Sequence, residues 1–162
     1  MSNQERVFQR LNELKIEYRL TNHQAVFTIE DINKLSVSKE GNIPKNLFLR
    51  DSKGKRHFLV VMDQHKKVNL KELQDQLACS RLGFASENRL AKYLGLTKGA
   101  VTPLGVINDK EAIVEVVFDM DLIGEKKLGV HPNDNTATVW LSYSDLKKVI
   151  ENNGNAIGYV II

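Results

Sequence analysis

A lysine–asparagine pair opens an apolar run in the first third of the chain, Lys45-Asn46-Leu47-Phe48-Leu49. Lysine supplies a compact positive charge that suits a phosphate group. Asparagine offers a donor and an acceptor that suit an amino or carbonyl group. The pair would be equally ordinary at the charged end of a strand beside a turn. On its own the local pattern favours this structural role, and a binding site is the alternative.

A loop that interrupts all periodicity follows later in the chain, Gly99-Ala100-Val101-Thr102-Pro103. Its glycine would let backbone N–H groups approach a ligand closely, and its proline would stiffen the far side. Any tight connection between two elements can carry the same residues. The loop is consequently a candidate pocket wall, with a simple connection as the alternative.

A third segment is dense in hydrogen-bonding groups, His131-Pro132-Asn133-Asp134-Asn135-Thr136-Ala137-Thr138. The proline holds His131 out of the helical region. Asparagine and threonine side chains can bind a substrate, but they can also satisfy the backbone of their own turn. Both interpretations stay open for this segment.

Metal and nucleophile chemistry have little support in the sequence. None of the four histidines pairs with another at the spacing of one helical turn, and Cys79 is alone. A zinc site is therefore not expected. Cys79 follows leucine and alanine on a predicted helix, which favours a small buried side chain over a reactive thiol. The sequence offers no obvious protein nucleophile.

Helix and strand patterns alternate along the whole chain and predict the elements that must position these residues. One helix is expected over residues 3–14, and four more should begin at the capping side chains of Thr28, Asn69, Ser86 and Ser142. The final strand is apolar on both faces, so a central or covered place is expected. The predicted strands are Glu17–Leu20, Lys45–Arg50, His57–Met62, Arg81–Phe84, Ile113–Phe118, Thr136–Leu141 and Ala156–Ile162.

Composition and length bound the class of protein. The chain has 162 residues and a net charge of +3, which fits one domain over residues 1–162 and permits a nucleic-acid partner without requiring one. No apolar run approaches the ~20 residues that span a bilayer, and the first residues lack the pattern of a signal peptide. We expect a cytoplasmic protein of mixed α/β class without a membrane partner.

The three segments, in this order, resemble the YbaK-like domains that edit prolyl-tRNA, and within that family the ProX proteins that hydrolyse alanyl-tRNA(Pro). The similarity covers nearly the whole chain, from Phe27 to Leu146. The matching stretches are Lys45–Leu49, Ser80–Ala85, Leu94–Gly95, Gly99–Pro103, Ile107–Asp109, His131–Asn133 and Asn135–Thr138.

The resemblance implies a compact mixed α/β fold with a partly barrel-like sheet of about six or seven strands flanked by helices. It also implies a hydrolase that needs no metal or other cofactor. The expected partner is the acceptor end of tRNA(Pro), whose terminal 2′-hydroxyl would activate or orient the attacking water. Prolyl-tRNA synthetase or an elongation factor would be transient partners at most, and DNA is not expected as a partner.

The resemblance further assigns roles to individual residues. Lys45 would hold the terminal phosphate region, and Asn46 would contact the aminoacyl group or its amine. The Gly99–Pro103 loop would line the aminoacyl pocket with backbone groups. His131 would shape that pocket, with Asn133 beside it as a binding residue. Arg81 would help to read the acceptor stem.

Two alternatives remain from the sequence. A related deacylase could act on cysteinyl-tRNA(Pro) or on seryl- or threonyl-tRNA, although the Asn135–Thr138 segment favours the alanine type. A catalytically silent module could instead bind tRNA or a synthetase, although it would not need the pocket that Lys45 and the Gly99–Pro103 loop predict.

Overall fold

A computed structural model describes residues 1–35 and 40–162 of the chain. Within these residues it contains five α-helices and eight β-strands. The helices are α1 Asn3–Glu13, α2 Ile29–Asn33, α3 Leu70–Leu77, α4 Glu87–Leu94 and α5 Tyr143–Asn153. The strands are β1 Arg19–Asn22, β2 Lys45–Arg50, β3 His57–Met62, β4 Gly83–Phe84, β5 Glu115–Asp119, β6 Leu128–Val130, β7 Ala137–Leu141 and β8 Ile157–Val160.

Short polar side chains fix where the helices begin. The Thr28 hydroxyl accepts a hydrogen bond from the backbone N–H of Asp31 at the start of α2. Asn69, Ser86 and Ser142 cap α3, α4 and α5 in the same manner. Such caps satisfy backbone donors that the first helical turn leaves unpaired. The four capping residues predicted from the sequence are confirmed.

The strands form two sheets. Five strands lie in the order β4-β2-β3-β5-β8, with β3 in the centre, and three lie in the order β1-β7-β6. All six residues of β3 are buried, and because alternate side chains point to opposite faces they join two different apolar clusters. Leu59 and Val61 pack in the larger cluster, and Phe58, Val60 and Met62 pack in the smaller one. The mixed α/β class is confirmed, and in the described residues neither sheet closes on itself.

The register of the larger sheet places the start of β2 and the ends of β3 and β5 at the same end of the sheet. β2 and β3 are antiparallel with Lys45 opposite Met62, whereas β3 and β5 are parallel with Val61 beside Phe118. The start of β2 therefore lies next to the end of β3, and the end of β5 lies on the other side of β3. At this end of the sheet, Lys45 is the first residue of β2 and Asp119 is the last residue of β5.

Several strand predictions differ from the structure, and β4 and β5 each begin two residues later than predicted. β8 was expected to be central or covered, but it is an edge strand, and Tyr159 on it is 41% exposed. β1 begins two residues later than predicted. β6 was not predicted, because three residues around a glycine carry no alternating pattern and its pairing partner β7 is distant in sequence. Within the described residues, no helix has the length and apolar character needed to cross a membrane.

Candidate active site

A pocket of about 210 Å³ lies where the start of β2 meets β6, β7 and the loop before Pro103. Its walls are mostly apolar, and a few polar side chains converge on it. Such a combination is typical of small-ligand sites. The lining residues are Val26, Phe27, Thr28, Ile29, Ile32, Ile43, Pro44, Lys45, Asn46, Gly99, Val101, Gly129, Val130, His131 and Thr138.

Lys45 is half-buried at the pocket wall and is held by the backbone. Its Nζ donates a hydrogen bond to the carbonyl oxygen of Lys66 at 2.9 Å. Among the described residues, no carboxylate lies within 4 Å of this Nζ, so Lys45 forms no close ion pair there. A lysine ammonium has three donors, so the contact with Lys66 leaves two for an anionic ligand.

Asn46 ties the strand to the loop on the opposite wall. Its Nδ2 donates to the carbonyl oxygen of Val101 at 3.3 Å. Its Oδ1 is buried and has no hydrogen-bond partner in the described part of the chain. A buried polar atom without a partner is costly unless a ligand or water satisfies it. Asn46 therefore presents an acceptor to whatever group enters the pocket.

His131 also presents an acceptor. Its Nδ1 lies 3.0 Å from the carbonyl oxygen of Ala137, and because a carbonyl can only accept, Nδ1 carries the proton. Burial lowers the pKa of His131 below its usual value, so the ring is neutral at pH 7. The lone pair then lies on Nε2. The Thr102 hydroxyl donates to the backbone oxygen of His131 at 2.7 Å and joins this residue to the loop.

Two glycines at the pocket wall stand where a side chain would not fit. Gly99 has a φ of +90°, and a Cβ there would lie 2.9 Å from Cδ1 of Phe27. A Cβ on Gly129 would lie 2.6 Å from the indole ring of Trp140. Contacts this short require neighbouring atoms to move. Trp140 is itself packed behind the wall, in one cluster with Val26, Ile32 and Ile43.

The structure brings some of the predicted site residues together and leaves others outside the pocket lining. Lys45, Asn46, Gly99, Val101 and His131 all line the one pocket. Arg81 is exposed, on the segment that leads into β4. Four others are buried and do not line the pocket: Ala100, Thr102, Pro103 and Asn133. The functional roles of all ten residues remain predictions.

Sequence reasoning missed a whole wall of the pocket, formed by residues 26–32. Phe27 on this wall is exposed over 65% of its surface. Thr138, on β7, was noticed only as part of a polar segment, yet its hydroxyl lies 2.8 Å from Nε2 of His23. The available signal was the cap at Thr28, which predicted the helix but not the direction in which it faces.

Neither a metal-ligand cluster nor an activated thiol lies near the pocket among the residues that the structure describes. In residues 1–35 and 40–162, no three His, Cys, Asp or Glu side chains gather in a way that could hold a metal ion. Cys79 follows α3 on another part of the molecule, and burial raises the pKa of its thiol. Since the thiolate is the reactive form, Cys79 is a poor nucleophile.

Comparison with known proteins identifies a family whose matched region contains the whole pocket. The family described as the aminoacyl-tRNA editing domain matches residues 23–149, which include every residue that lines the pocket. The prolyl-tRNA editing protein ProX of Acetoanaerobium sticklandii is 54% identical over 155 residues, covering 96% of this chain and 94% of that protein. The prolyl-tRNA synthetase associated domain-containing protein 1 of Danio rerio is 35% identical, over 87% of this chain and 77% of the relative.

The fold has a counterpart among solved structures. A protein described as a proposed trans-editing enzyme for prolyl tRNA synthetase superposes with a TM-score of 0.73 at 17% identity, covering 100% of this chain and 99% of that one. At this identity the likeness concerns the fold alone, and it includes both sheets. The family match over residues 23–149 and the 54% identical relative show that the chain belongs to the aminoacyl-tRNA editing domain family and is an aminoacyl-tRNA hydrolase.

Proposed function

We propose that this chain acts in trans as an editing deacylase that removes alanine from mischarged tRNA(Pro). The observation that supports this function best is the small pocket, with apolar walls and the unpaired Oδ1 of Asn46, beside a lysine. The prolyl-tRNA editing named for its 54% identical relative points to the same tRNA. The acceptor end of tRNA(Pro) is the proposed partner, with exposed Arg81 as a proposed contact to the acceptor stem.

The volume of the pocket suits a small aminoacyl group. At about 210 Å³ it lies below the range of roughly 300–1,000 Å³ typical of larger ligands. One methylene contributes only about 1–3 kcal/mol of discrimination, so a synthetase site built for proline cannot fully reject alanine. A second pocket that admits the smaller residue and excludes proline corrects this error.

The acceptors at the wall match the α-amino group of such a substrate. Asn46 directs its Nδ2 to Val101, which leaves Oδ1 for a donor. The neutral ring of His131 has its lone pair on Nε2. An α-ammonium group carries three N–H donors, so it would satisfy the unpaired Oδ1 of Asn46 and could also donate to Nε2 of His131.

The proposed chemistry assigns activation of the water to the substrate. The described residues provide no metal ligand set, and Cys79 is a poor nucleophile. The vicinal 2′-hydroxyl of the terminal adenosine would orient or activate the water that attacks the ester. The protein would position the ester and stabilise the developing negative charge, and a single donor of that kind is worth about 10²–10³ in rate.

Deacylation should survive both chelation and loss of the thiol. With EDTA present, or with Cys79→Ser, we expect turnover within about twofold of the untreated wild type, because the described residues form no metal-ligand cluster and a conservative change outside the pocket lining has a small effect. Single-turnover deacylation of alanyl-tRNA(Pro) measures this. Loss of activity with EDTA and its return with zinc would contradict the metal-free mechanism, and loss in a folded Cys79→Ser protein would restore the thiol as a candidate.

His131→Ala should mainly change selectivity. The substitution removes a ring from the pocket wall, so larger aminoacyl groups should gain access and the preference for alanyl- over prolyl-tRNA(Pro) should fall about tenfold or more. Parallel kcat/KM measurements on the two charged tRNAs give this ratio. An unchanged ratio together with a large loss of kcat would show that His131 takes part in the chemistry.

A deacylation panel with alanyl-, cysteinyl- and seryl-tRNA(Pro) tests the proposed function directly. Fastest turnover of alanyl-tRNA(Pro) supports it. A preference for the cysteinyl or seryl substrate would assign the protein to a related editing activity. Tight binding of tRNA(Pro) with no turnover of any substrate would instead show a binding module.

A further inference from the structure

The position of Lys45 depends on a turn that follows the next strand. Residues 63–66 leave the end of β3, and the backbone N–H of Lys66 donates to the carbonyl oxygen of Asp63 at 3.2 Å. The carbonyl of Lys66 then accepts the hydrogen bond from Lys45 at 2.9 Å. The direction of the Lys45 ammonium is therefore set by the conformation of this turn.

Asp119 holds this turn against the end of β5. Its side chain is only 1% exposed, and it accepts from the backbone N–H of Asp63 at 3.2 Å and from Nζ of Lys66 at 3.0 Å. It also accepts from the backbone N–H of Asp121 at 3.0 Å. A carboxylate that is buried and saturated in this way has little freedom to move. It fixes both ends of the 63–66 turn.

Lys66 completes the connection. Its ammonium contacts Asp119 at 3.0 Å and the exposed carboxylate of Asp121 at 2.6 Å. The hydrogen bonds to Asp121 and Asp119 raise the pKa of Lys66. The side chain of Lys66 is thus held by carboxylates at the end of β5, while its backbone carbonyl accepts the hydrogen bond from Lys45. One residue links the buried acid to the pocket lysine.

We propose that Asp119 and Lys66 are positioning residues, which hold the carbonyl that aims Lys45 into the pocket. This role rests on the proposed function, in which Lys45 contacts the substrate. A free lysine side chain samples many rotamers, and fixing one of its donors restricts that sampling before the substrate arrives. Neither Asp119 nor Lys66 lines the pocket, so both act through Lys45.

Lys66→Met tests the proposal because it removes the ammonium and leaves the backbone carbonyl in place. We expect kcat/KM for alanyl-tRNA(Pro) to fall about 10- to 100-fold, since small misplacements of a contacting group are costly. Asp119→Asn, which removes no positive charge, should produce a loss of the same order. In a Lys45→Ala background, either substitution should change the residual activity less than about twofold, because sites that act as a unit are not additive.

Arg56→Met is the matched control. Arg56 pairs with Glu115 at 2.9 Å, at the opposite ends of the same two parallel strands, β3 and β5. The substitution removes one cation and one ion pair between the same elements, together with long contacts of the guanidinium to the carbonyl oxygens of Leu77 and Ala78 and its contact with the Phe58 ring. We expect kcat/KM within about twofold of the wild type. An equal loss in Arg56→Met and Lys66→Met would mean that general destabilisation or loss of positive charge explains the effect, and would overturn the proposal.

A readout without substrate separates this proposal from the proposed function. In ¹⁵N-lysine-labelled protein, the Nζ protons of Lys45 should be protected from exchange in the wild type and in Arg56→Met, but not in Lys66→Met or Asp119→Asn. Unchanged protection in both of the last two variants would overturn the positioning role. Absence of deacylation by the wild type, with the expected protection pattern, would overturn only the proposed function. Loss of kcat/KM that persists in the Lys45→Ala background would also count against the proposal.

Discussion

Lys45→Ala should reduce deacylation of alanyl-tRNA(Pro) by about 100-fold or more while the fold remains intact. The lysine brings positive charge to a pocket wall, and in the described residues its ammonium forms no close ion pair. Its loss removes a contact at the reacting end of the substrate, where a displacement of about 1 Å can cost 10²-fold in rate. Single-turnover kinetics measure the loss, and thermal unfolding checks the fold.

Lys148→Ala controls for the loss of one positive charge. Lys148 is 57% exposed on α5 and contacts only Asp145, at 3.9 Å, among the close ion pairs of the described residues. Its removal should leave turnover within about twofold of the wild type, as expected for an exposed pair. Near-normal turnover by Lys45→Ala would show that this lysine has no part in the reaction, even though it lies in the pocket.

A tRNA that ends in 2′-deoxyadenosine, charged with alanine on its 3′-hydroxyl, should bind almost normally and turn over at least about 100-fold more slowly. The pocket offers acceptors and a lysine, but the described residues provide no metal ligand set and no activated thiol. The 2′-hydroxyl would then supply the activation, and general acid–base assistance of this kind typically contributes about 10²–10⁴-fold. Dissociation constants and single-turnover rates for the two substrates separate binding from chemistry.

His131 is the alternative source of activation if the deoxy substrate reacts at the normal rate. Its ring is neutral and carries a lone pair on Nε2, so in principle it could accept a proton from water. If the deoxy substrate reacted at the normal rate, a protein group would have to perform the activation, and His131 would be the first candidate. His131→Ala would then abolish turnover instead of altering selectivity.

The elements that the sequence could predict are those with local signals. The two strands of the hairpin, β2 and β3, have the predicted bounds, because both are short apolar runs separated by a turn with a glycine. The helix starts were also predictable, since a capping side chain acts on the backbone three residues away. The grouping of Lys45, Asn46 and Val101 at one pocket was anticipated from the resemblance and is seen in the structure, although their roles stay predictions.

The parts that could not be predicted depend on contacts between distant segments. The sequence suggested no structural partner for Lys45, because that partner is a backbone carbonyl 21 residues away. Strand β6 exists through its pairing with β7, and β8 is an edge strand because no further strand pairs with it in the described residues. The hydrophobic periodicity of the sequence also cannot show that α2 faces the pocket, since that depends on how the two sheets pack relative to each other.

Trp140 gives the pocket a built-in fluorescent probe. It is the only tryptophan of the chain, is 4% exposed, and packs directly behind Val26, Ile32 and Ile43, which line the pocket. Its indole N–H donates to the Thr21 hydroxyl at 3.1 Å, and its ring lies against Gly129. Emission from this one indole therefore originates at the back of the substrate wall, so occupancy of the pocket can be followed in unlabelled protein.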